Sequence, residues 1–140
     1  MAKDDMEVVM YKILRYLYEC MKKDVTPDLQ KYGWHSALID IPQQYWCKVI
    51  RILVEKGLVK GFFIRPTKDG ILIETKPPIE ITYEGREFLR ENSGMQKAKE
   101  VCGEAFEVLL SAAIGIIAKK NNGIHANQKW LVFLYSFLGG

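Results

Sequence analysis

A predicted helix is followed directly by a predicted β-hairpin in residues 42–75, and this order of elements limits the possible folds of the chain. Residues 42–56 are predicted to form a helix, because Pro42 is well tolerated at a first helical position and Gly57 suits the position just past a helix end. The residues that follow are rich in β-branched and aromatic side chains on both sides of an Asp69-Gly70 turn signal. Strands are therefore predicted at 58–64 and 71–75.

Two helices are predicted before this segment. Apolar residues between Asp4 and Lys23 fall at the three-and-four spacing of one helical face, with Asp4 or Asp5 as the N-terminal cap. These apolar residues are Met6, Val9, Met10, Ile13, Leu14, Leu17 and Met21. A second, short helix is predicted to begin after Thr26 as its cap and to stop at Gly33.

Further elements are predicted after the hairpin. The Pro77-Pro78 pair is expected to break the chain, and the alternating residues 79–82 are expected to form another short strand. Thr82 can cap a helix over residues 83–92. A last helix is predicted over 96–118, followed by an apolar run at 130–138 that the pattern assigns neither to helix nor to strand.

Three helices followed by a hairpin, with an amphipathic third helix and a basic hairpin tip, are the element order of a winged helix-turn-helix domain. We therefore predict an α+β fold, a winged helix-turn-helix with a C-terminal helical extension. The first helix, the third helix and the 83–92 helix are expected to pack over one core, with the small sheet at its edge. The expected parts are a winged-helix domain at 1–94, a C-terminal helix at 95–120 and an apolar tail at 121–140.

The composition is typical of one ordinary globular domain, since the 140-residue chain is 49% hydrophobic and 26% charged. Cys20, Cys47 and Cys102 are far apart and include no C-x-x-C pair, so they predict neither a disulfide framework nor a zinc site. The acidic start of the chain is unlike a signal peptide, and the uncharged stretch 108–118 is shorter than the ~20 residues that span a bilayer. A reducing cytoplasm and no membrane span are expected.

Six short segments of this chain are similar to segments of one known family. They are Met1-Ala2-Lys3-Asp4-Asp5, Tyr11 to Cys20, Ile41 to Trp46, Gly57 to Gly61, Ile81 to Leu89, and Glu91-Asn92-Ser93 followed by Met95. These segments resemble YjcQ-like proteins of Gram-positive bacteria and their phages. The resemblance covers roughly residues 1–118. It implies a winged-helix core and an association with prophage or mobile-element genes, but no catalytic residues and no established ligand. The uncharged 109–118 stretch and the extension at 121–140 depart from the short, charged C-terminal ends of that family.

The outward face of the third helix carries residue types that can contact double-stranded DNA. Gln44, Lys48, Arg51 and Glu55 share this face. Glutamine can pair with adenine, arginine with guanine and lysine with phosphate, whereas the acidic Glu55 does not favour contact with DNA. Between Lys48 and Asp69 six basic residues stand against two acidic ones, although the net charge of +3 is too small to indicate nucleic acid by itself. A solvated helix face and a charged turn are the alternatives. The expected DNA contacts are Gln43, Gln44, Lys48, Arg51, Arg65 and Lys68.

The sequence favours a non-enzymatic DNA-binding or regulatory protein. His35 and His125 are the only histidines and have no metal-ligand spacing, and no nucleophile motif or phosphate-binding loop is present. We therefore expect no catalytic residues, no metal, no cofactor and no small-molecule substrate. The alternative function is that of a protein-interaction or phage structural module, because a fold does not fix a function.

The last predicted helix carries a stripe of small and branched residues that is expected to mediate self-association. One winged-helix domain can bury only part of such a stripe, and a two-fold homodimer would cover the rest. The alternatives are that residues 130–138 fold back onto the stripe or that the tail touches a membrane surface. The expected dimerisation residues are Ala98, Val101, Ala105, Leu109, Ala112 and Ile116, with Cys102 on the same stripe.

Overall fold

The computed structural model describes residues 2–115, which form five helices and one two-stranded antiparallel sheet. This architecture confirms the predicted α+β class and is compatible with a winged helix followed by a C-terminal helix. The predictions for Ile116 and for residues 121–140 lie outside the described residues. The elements are α1 (Met6–Lys23), α2 (Leu29–Tyr32), α3 (Gln43–Glu55), β1 (Val59–Thr67), β2 (Gly70–Ile81), α4 (Tyr83–Glu91) and α5 (Ser93–Ile114).

Helix α1 is the centre of the hydrophobic core, because it packs against α3, α4, α5 and β2. Most of its apolar residues are consequently buried, and the exposed ones, Met6 and Met21, lie near its ends. Asp5 holds the N-cap position, but its carboxylate accepts a hydrogen bond from the Ala2 N–H at 2.9 Å and does not cap the helix. The buried residues of α1 are Val8, Val9, Met10, Tyr11, Ile13, Leu14, Tyr16, Leu17 and Cys20.

Helix α2 begins later than the sequence predicted. Asp28, and not Thr26, is its cap, because the Asp28 carboxylate accepts a hydrogen bond from the Gln30 N–H at 2.9 Å. The Tyr16 hydroxyl accepts a hydrogen bond from the Asp28 N–H at 3.0 Å, which fixes this cap against α1. The predicted end at Gly33 is confirmed.

Helix α3 confirms the predicted segment, with Pro42 at the N-cap position and Gly57 in a left-handed conformation just past its end. Trp46 anchors the buried face of α3, and its indole N–H donates to the carbonyl of Tyr32 at 3.0 Å. The Tyr32 ring in turn stacks on Tyr16 at a centroid distance of 5.4 Å. This aromatic contact joins α1, α2 and α3 into one core.

Strand β2 is longer than predicted, and the predicted break at Pro77-Pro78 is wrong. The pairing shifts register between Lys60 and Phe62, so the proline pair is accommodated in a bulge of one continuous strand. Gly61 faces this bulge with φ of 98°, and a Cβ atom there would lie 2.6 Å from the Pro78 carbonyl oxygen. The separate strand predicted at 79–82 is therefore the end of β2.

The last two helices begin at side-chain caps. The Thr82 hydroxyl accepts from the Gly85 N–H at 2.9 Å, which confirms the predicted start of α4, and the Asn92 side chain accepts from the Met95 N–H at 3.2 Å at the start of α5. Helix α5 is not the straight helix that was predicted, because Gly103 has the non-helical values φ 62° and ψ −164°. Residues on both sides of this bend are buried in the same core. They are Met95, Ala98, Phe106, Leu110 and Ile114.

Candidate nucleic-acid interface

The outward face of α3 presents the polar residues that the sequence assigned to it. Gln44, Lys48 and Arg51 are spaced by four and three residues, so they follow one side of the helix. Gln44 and Lys48 are exposed and Arg51 is half-buried, while Gln43 is exposed at the first position of the helix. This face is open to solvent at Gln44 and Lys48, because the fully buried residues of α3 lie on its other sides. They are Trp46, Cys47, Val49, Ile50 and Leu53.

The tip of the β-hairpin supplies the second part of the site. Lys68 and Asp69 form a two-residue loop that is closed by the pair Thr67 and Gly70, and the Thr67 hydroxyl donates to the Gly70 carbonyl at 3.0 Å. Lys68 is exposed in this loop. Arg65 is also exposed, and its Nε lies 2.9 Å from the carboxylate of Glu74 on the neighbouring strand.

Two hydrogen bonds connect the helix and the hairpin tip. The Gln44 side-chain amide donates to the Ile71 carbonyl at 3.0 Å, and its oxygen accepts from the Ile71 N–H at 2.9 Å. The start of α3 therefore lies beside the end of the hairpin that carries Lys68. The sequence had assigned Gln44 to a base edge, and this contact of its amide with the protein backbone was not anticipated.

The positive charge of this surface is smaller than the sequence count indicates. Lys60 pairs with Glu80 at 3.1 Å and Arg65 with Glu74 at 2.9 Å, and both acids lie outside the stretch that was counted. The register of the strands brings these charges together, so a count along the chain misses them. Within residues 2–115 no ion pair is formed by the other three expected basic contacts, which are Lys48, Arg51 and Lys68.

The residues expected at a dimer interface do not form one exposed stripe. Ala98 is fully buried in the core, because the first half of α5 packs against the rest of the chain there. Beyond the bend at Gly103 the helix follows a different direction, which corrects the assumption of a straight helix. Among the remaining residues, Val101 and Ala105 are exposed and Cys102, Leu109 and Ala112 are half-buried.

A family model described as YjcQ protein matches residues 11–107, which is more than half of the 140-residue chain. The chain belongs to the YjcQ family. No curated protein and no solved structure matches it. The YjcQ match includes α3, the complete hairpin and the bend in α5, so both parts of the candidate interface lie within the family region.

In residues 2–115 of this YjcQ-family chain, the histidine, cysteine, aspartate and glutamate residues form no group of three or more that could hold a metal ion, and a candidate membrane-spanning helix is absent from the same residues. Burial raises the pKa of the Cys20 thiol to about 11, so this thiol is protonated at neutral pH and is a poor nucleophile. Tyr16, Tyr32 and Trp46 are core residues and are not accessible for stacking on bases.

Proposed function

We propose that this chain is a non-enzymatic DNA-binding or regulatory protein that contacts duplex DNA with α3 and the hairpin tip. The observation that carries the proposal is the pair of hydrogen bonds between Gln44 and Ile71, because they combine two separate basic segments into one surface. Lys48 and Arg51 lie on the helical part of this surface and Lys68 on the hairpin part. A helix of this kind fits the major groove, and a basic loop beside it fits the phosphate backbone.

The roles of the individual residues follow from their surroundings. Lys48 and Lys68 are exposed and unpaired among the described residues, so we assign them to phosphates. Arg51 and Gln43 are assigned to base edges, where their side chains can form paired hydrogen bonds. Glu74, which contacts the Arg65 Nε at 2.9 Å, competes with a phosphate for this guanidinium. We expect binding to weaken steeply with salt, because each phosphate contact releases a counterion.

An electrophoretic shift on a mixed-sequence duplex at low salt tests the proposal. The full chain should shift the duplex, and the double variant Lys48→Ala with Arg51→Ala should bind at least about tenfold more weakly, since a base contact and a phosphate contact are both lost. Lys97 and Lys99 are exposed on α5 and provide a control of equal charge change. Their double alanine variant should bind like the parent. No shift with the parent chain, or equal binding by the two double variants, would reject the proposal.

The second candidate function is a protein-interaction module, and one observation favours it. Phe63 and Leu72 lie on the outward face of the hairpin with 53% and 45% of their surface exposed, which is high for large apolar side chains. Capture of the tagged chain from its host distinguishes the two functions. A stoichiometric protein partner without nucleic acid supports this second function, and loss of that partner in Phe63→Ser would assign the surface.

Self-association remains a prediction of the sequence and is part of the proposal. Val101 and Val108 are exposed apolar residues of α5, with 38% and 42% of their surface accessible in the described residues. A homodimer would place two copies of α3 on one duplex. Light scattering on the full chain tests this point, and a monomer at micromolar concentration would contradict it. The association with phage or mobile-element genes likewise stays a prediction.

A further inference from the structure

The side chain of Gln44 bonds to β2 in the way that a neighbouring strand would. Its amide nitrogen donates to the Ile71 carbonyl at 3.0 Å while its oxygen accepts from the Ile71 N–H at 2.9 Å. Both hydrogen-bonding groups of one backbone residue are therefore satisfied by one side chain. The pairing uses one N–H and the oxygen of the amide together, which are the same two kinds of group that a bidentate contact with adenine needs.

The strand register explains why Ile71 offers both groups. The pair Thr67 and Gly70 closes the two-residue loop, and in an antiparallel ladder directly opposed pairs alternate between hydrogen-bonded and non-hydrogen-bonded. The next pair is Pro66 and Ile71, in which the backbone groups point away from the opposite strand. Proline is tolerated at this position because its missing N–H would also point outward. Gln44 thus covers one position on the open edge of β2.

Gly70 provides a second, independent observation. Its φ is 148°, and a Cβ atom at this position would lie 2.3 Å from the Gln44 side-chain oxygen. Any larger residue would push the amide away from the strand. The close approach of the hairpin tip to α3 thus depends on a glycine in the hairpin as well as on the amide in the helix.

We infer that Gln44 is a positioning residue, which fixes the hairpin tip against α3, and that it does not read a base. The effect of this positioning on DNA binding rests on the proposed function. Lys48 follows Gln44 by one helical turn, and Lys68 precedes Ile71 by three residues, so the bond holds the two lysines in a fixed relation. Holding the two lysines in place before binding raises the affinity for a rigid duplex, because less conformational entropy is lost on binding.

Amide hydrogen exchange of the full chain, followed by NMR, tests the contact itself without DNA. Gln44→Ala should accelerate exchange at Ile71 by about fivefold or more, the factor expected for loss of one ordinary hydrogen bond. Gly70→Ala should also accelerate this exchange, because the added Cβ displaces the amide and the φ of 148° strains an L residue at this position. Gln30 is exposed on α2 and its side chain forms no hydrogen bond with a described residue, so Gln30→Ala should leave exchange at Ile71 unchanged. Unchanged exchange at Ile71 in Gln44→Ala, with the α3 amides still protected, would overturn the inference.

A double-mutant cycle on duplex binding tests the consequence. If Gln44 positions the tip, Lys68→Ala should reduce the affinity several-fold less in the Gln44→Ala background than in the parent. The affinity lost in Gln44→Ala should also be similar on duplexes of different sequence. Additive losses, or a Gln44→Ala loss confined to one base pair, would identify a base reader and overturn the inference. If the parent binds no duplex, the proposed function fails, and exchange at Ile71 still decides whether Gln44 fixes the hairpin.

Discussion

Arg15 of α1 and Glu107 of α5 join their helices through two hydrogen bonds of 2.8 and 2.9 Å between the guanidinium and the carboxylate. The same guanidinium donates to the Tyr11 hydroxyl at 2.7 Å, and the Tyr11 ring contacts Phe106 at a centroid distance of 5.9 Å. The contacts of Glu107 and Phe106 involve the part of α5 that follows the bend at Gly103. They fasten that part to the central helix of the fold.

The first prediction concerns this ion pair. The ion pair is bidentate and Arg15 is largely buried, so we expect Glu107→Ala to lower the free energy of unfolding by about 1 kcal/mol. The coupling energy between Glu107→Ala and Arg15→Ala should be roughly 0.5–1 kcal/mol. Urea denaturation of the four chains of the cycle measures both quantities. Glu104→Ala removes an exposed carboxylate with no ion pair in the described residues and should cost less than about 0.5 kcal/mol. Additive losses for Arg15 and Glu107 would contradict the prediction.

The second prediction concerns the bend in α5. Gly103 occupies a backbone region that is nearly restricted to glycine, although no neighbouring atom would meet an added Cβ. Gly103→Ala should therefore destabilise the chain by about 1–3 kcal/mol through backbone strain alone. In a straight helix the same change would stabilise it, because alanine is favoured over glycine by about 1 kcal/mol. Thermal or urea denaturation distinguishes the two cases, because Gly103→Ala lowers the free energy of unfolding if α5 is bent at this residue and raises it if α5 is straight.

The third prediction compares two core tyrosines. The Tyr32 hydroxyl is buried without a hydrogen-bond partner among the described residues, whereas the Tyr16 hydroxyl accepts from the Asp28 N–H. Tyr32→Phe should leave stability unchanged or raise it by up to about 1 kcal/mol, and Tyr16→Phe should lower it by about 1 kcal/mol. The two variants are matched controls for each other, since each removes one hydroxyl from stacked rings. A larger loss in Tyr32→Phe than in Tyr16→Phe would show that this assignment is wrong.

The fourth prediction concerns Glu74, which holds Arg65 in an ion pair beside the proposed phosphate contacts. Glu74→Gln should increase affinity for duplex DNA by about two- to fivefold at low salt, because Arg65 no longer has to leave an exposed ion pair worth ~0.5–1 kcal/mol. Glu100→Gln removes the same charge from an exposed position on α5 and should change affinity less. Fluorescence anisotropy of a labelled duplex measures both. Weaker binding by Glu74→Gln would argue against a phosphate contact at Arg65.

The helix ends predicted from neighbouring residues agree with the structure at α3 and α4. The limits of α3 follow from Pro42 and Gly57, and the start of α4 follows from Thr82, because helix ends are set by local backbone and side-chain chemistry. The start of α2 is an exception, since Thr26 and Asp28 are both acceptable caps and a contact with α1 selects the second. Local patterns therefore find an element more reliably than they choose between two nearby caps.

The features that the sequence did not predict depend on contacts between distant segments. The Pro77-Pro78 pair breaks a strand by local rules, but a bulge opposite Gly61 accommodates it within β2. The apolar residues of α5 have helical spacing on both sides of Gly103, so their pattern in the sequence does not reveal the bend. The bonds between Gln44 and Ile71 join residues 27 positions apart, and only the fold brings them together.

The surface formed by α3 and the hairpin tip is our proposed binding site for duplex DNA. Titration of the isotope-labelled full chain with a mixed-sequence duplex, followed by amide chemical shifts, tests where the duplex binds. We predict that the largest shifts fall at residues 43–51 and 65–71, decrease with added salt, and vanish in the double variant Lys48→Ala with Arg51→Ala. No shifts at low salt, or shifts concentrated on α4 and α5, would contradict this proposal.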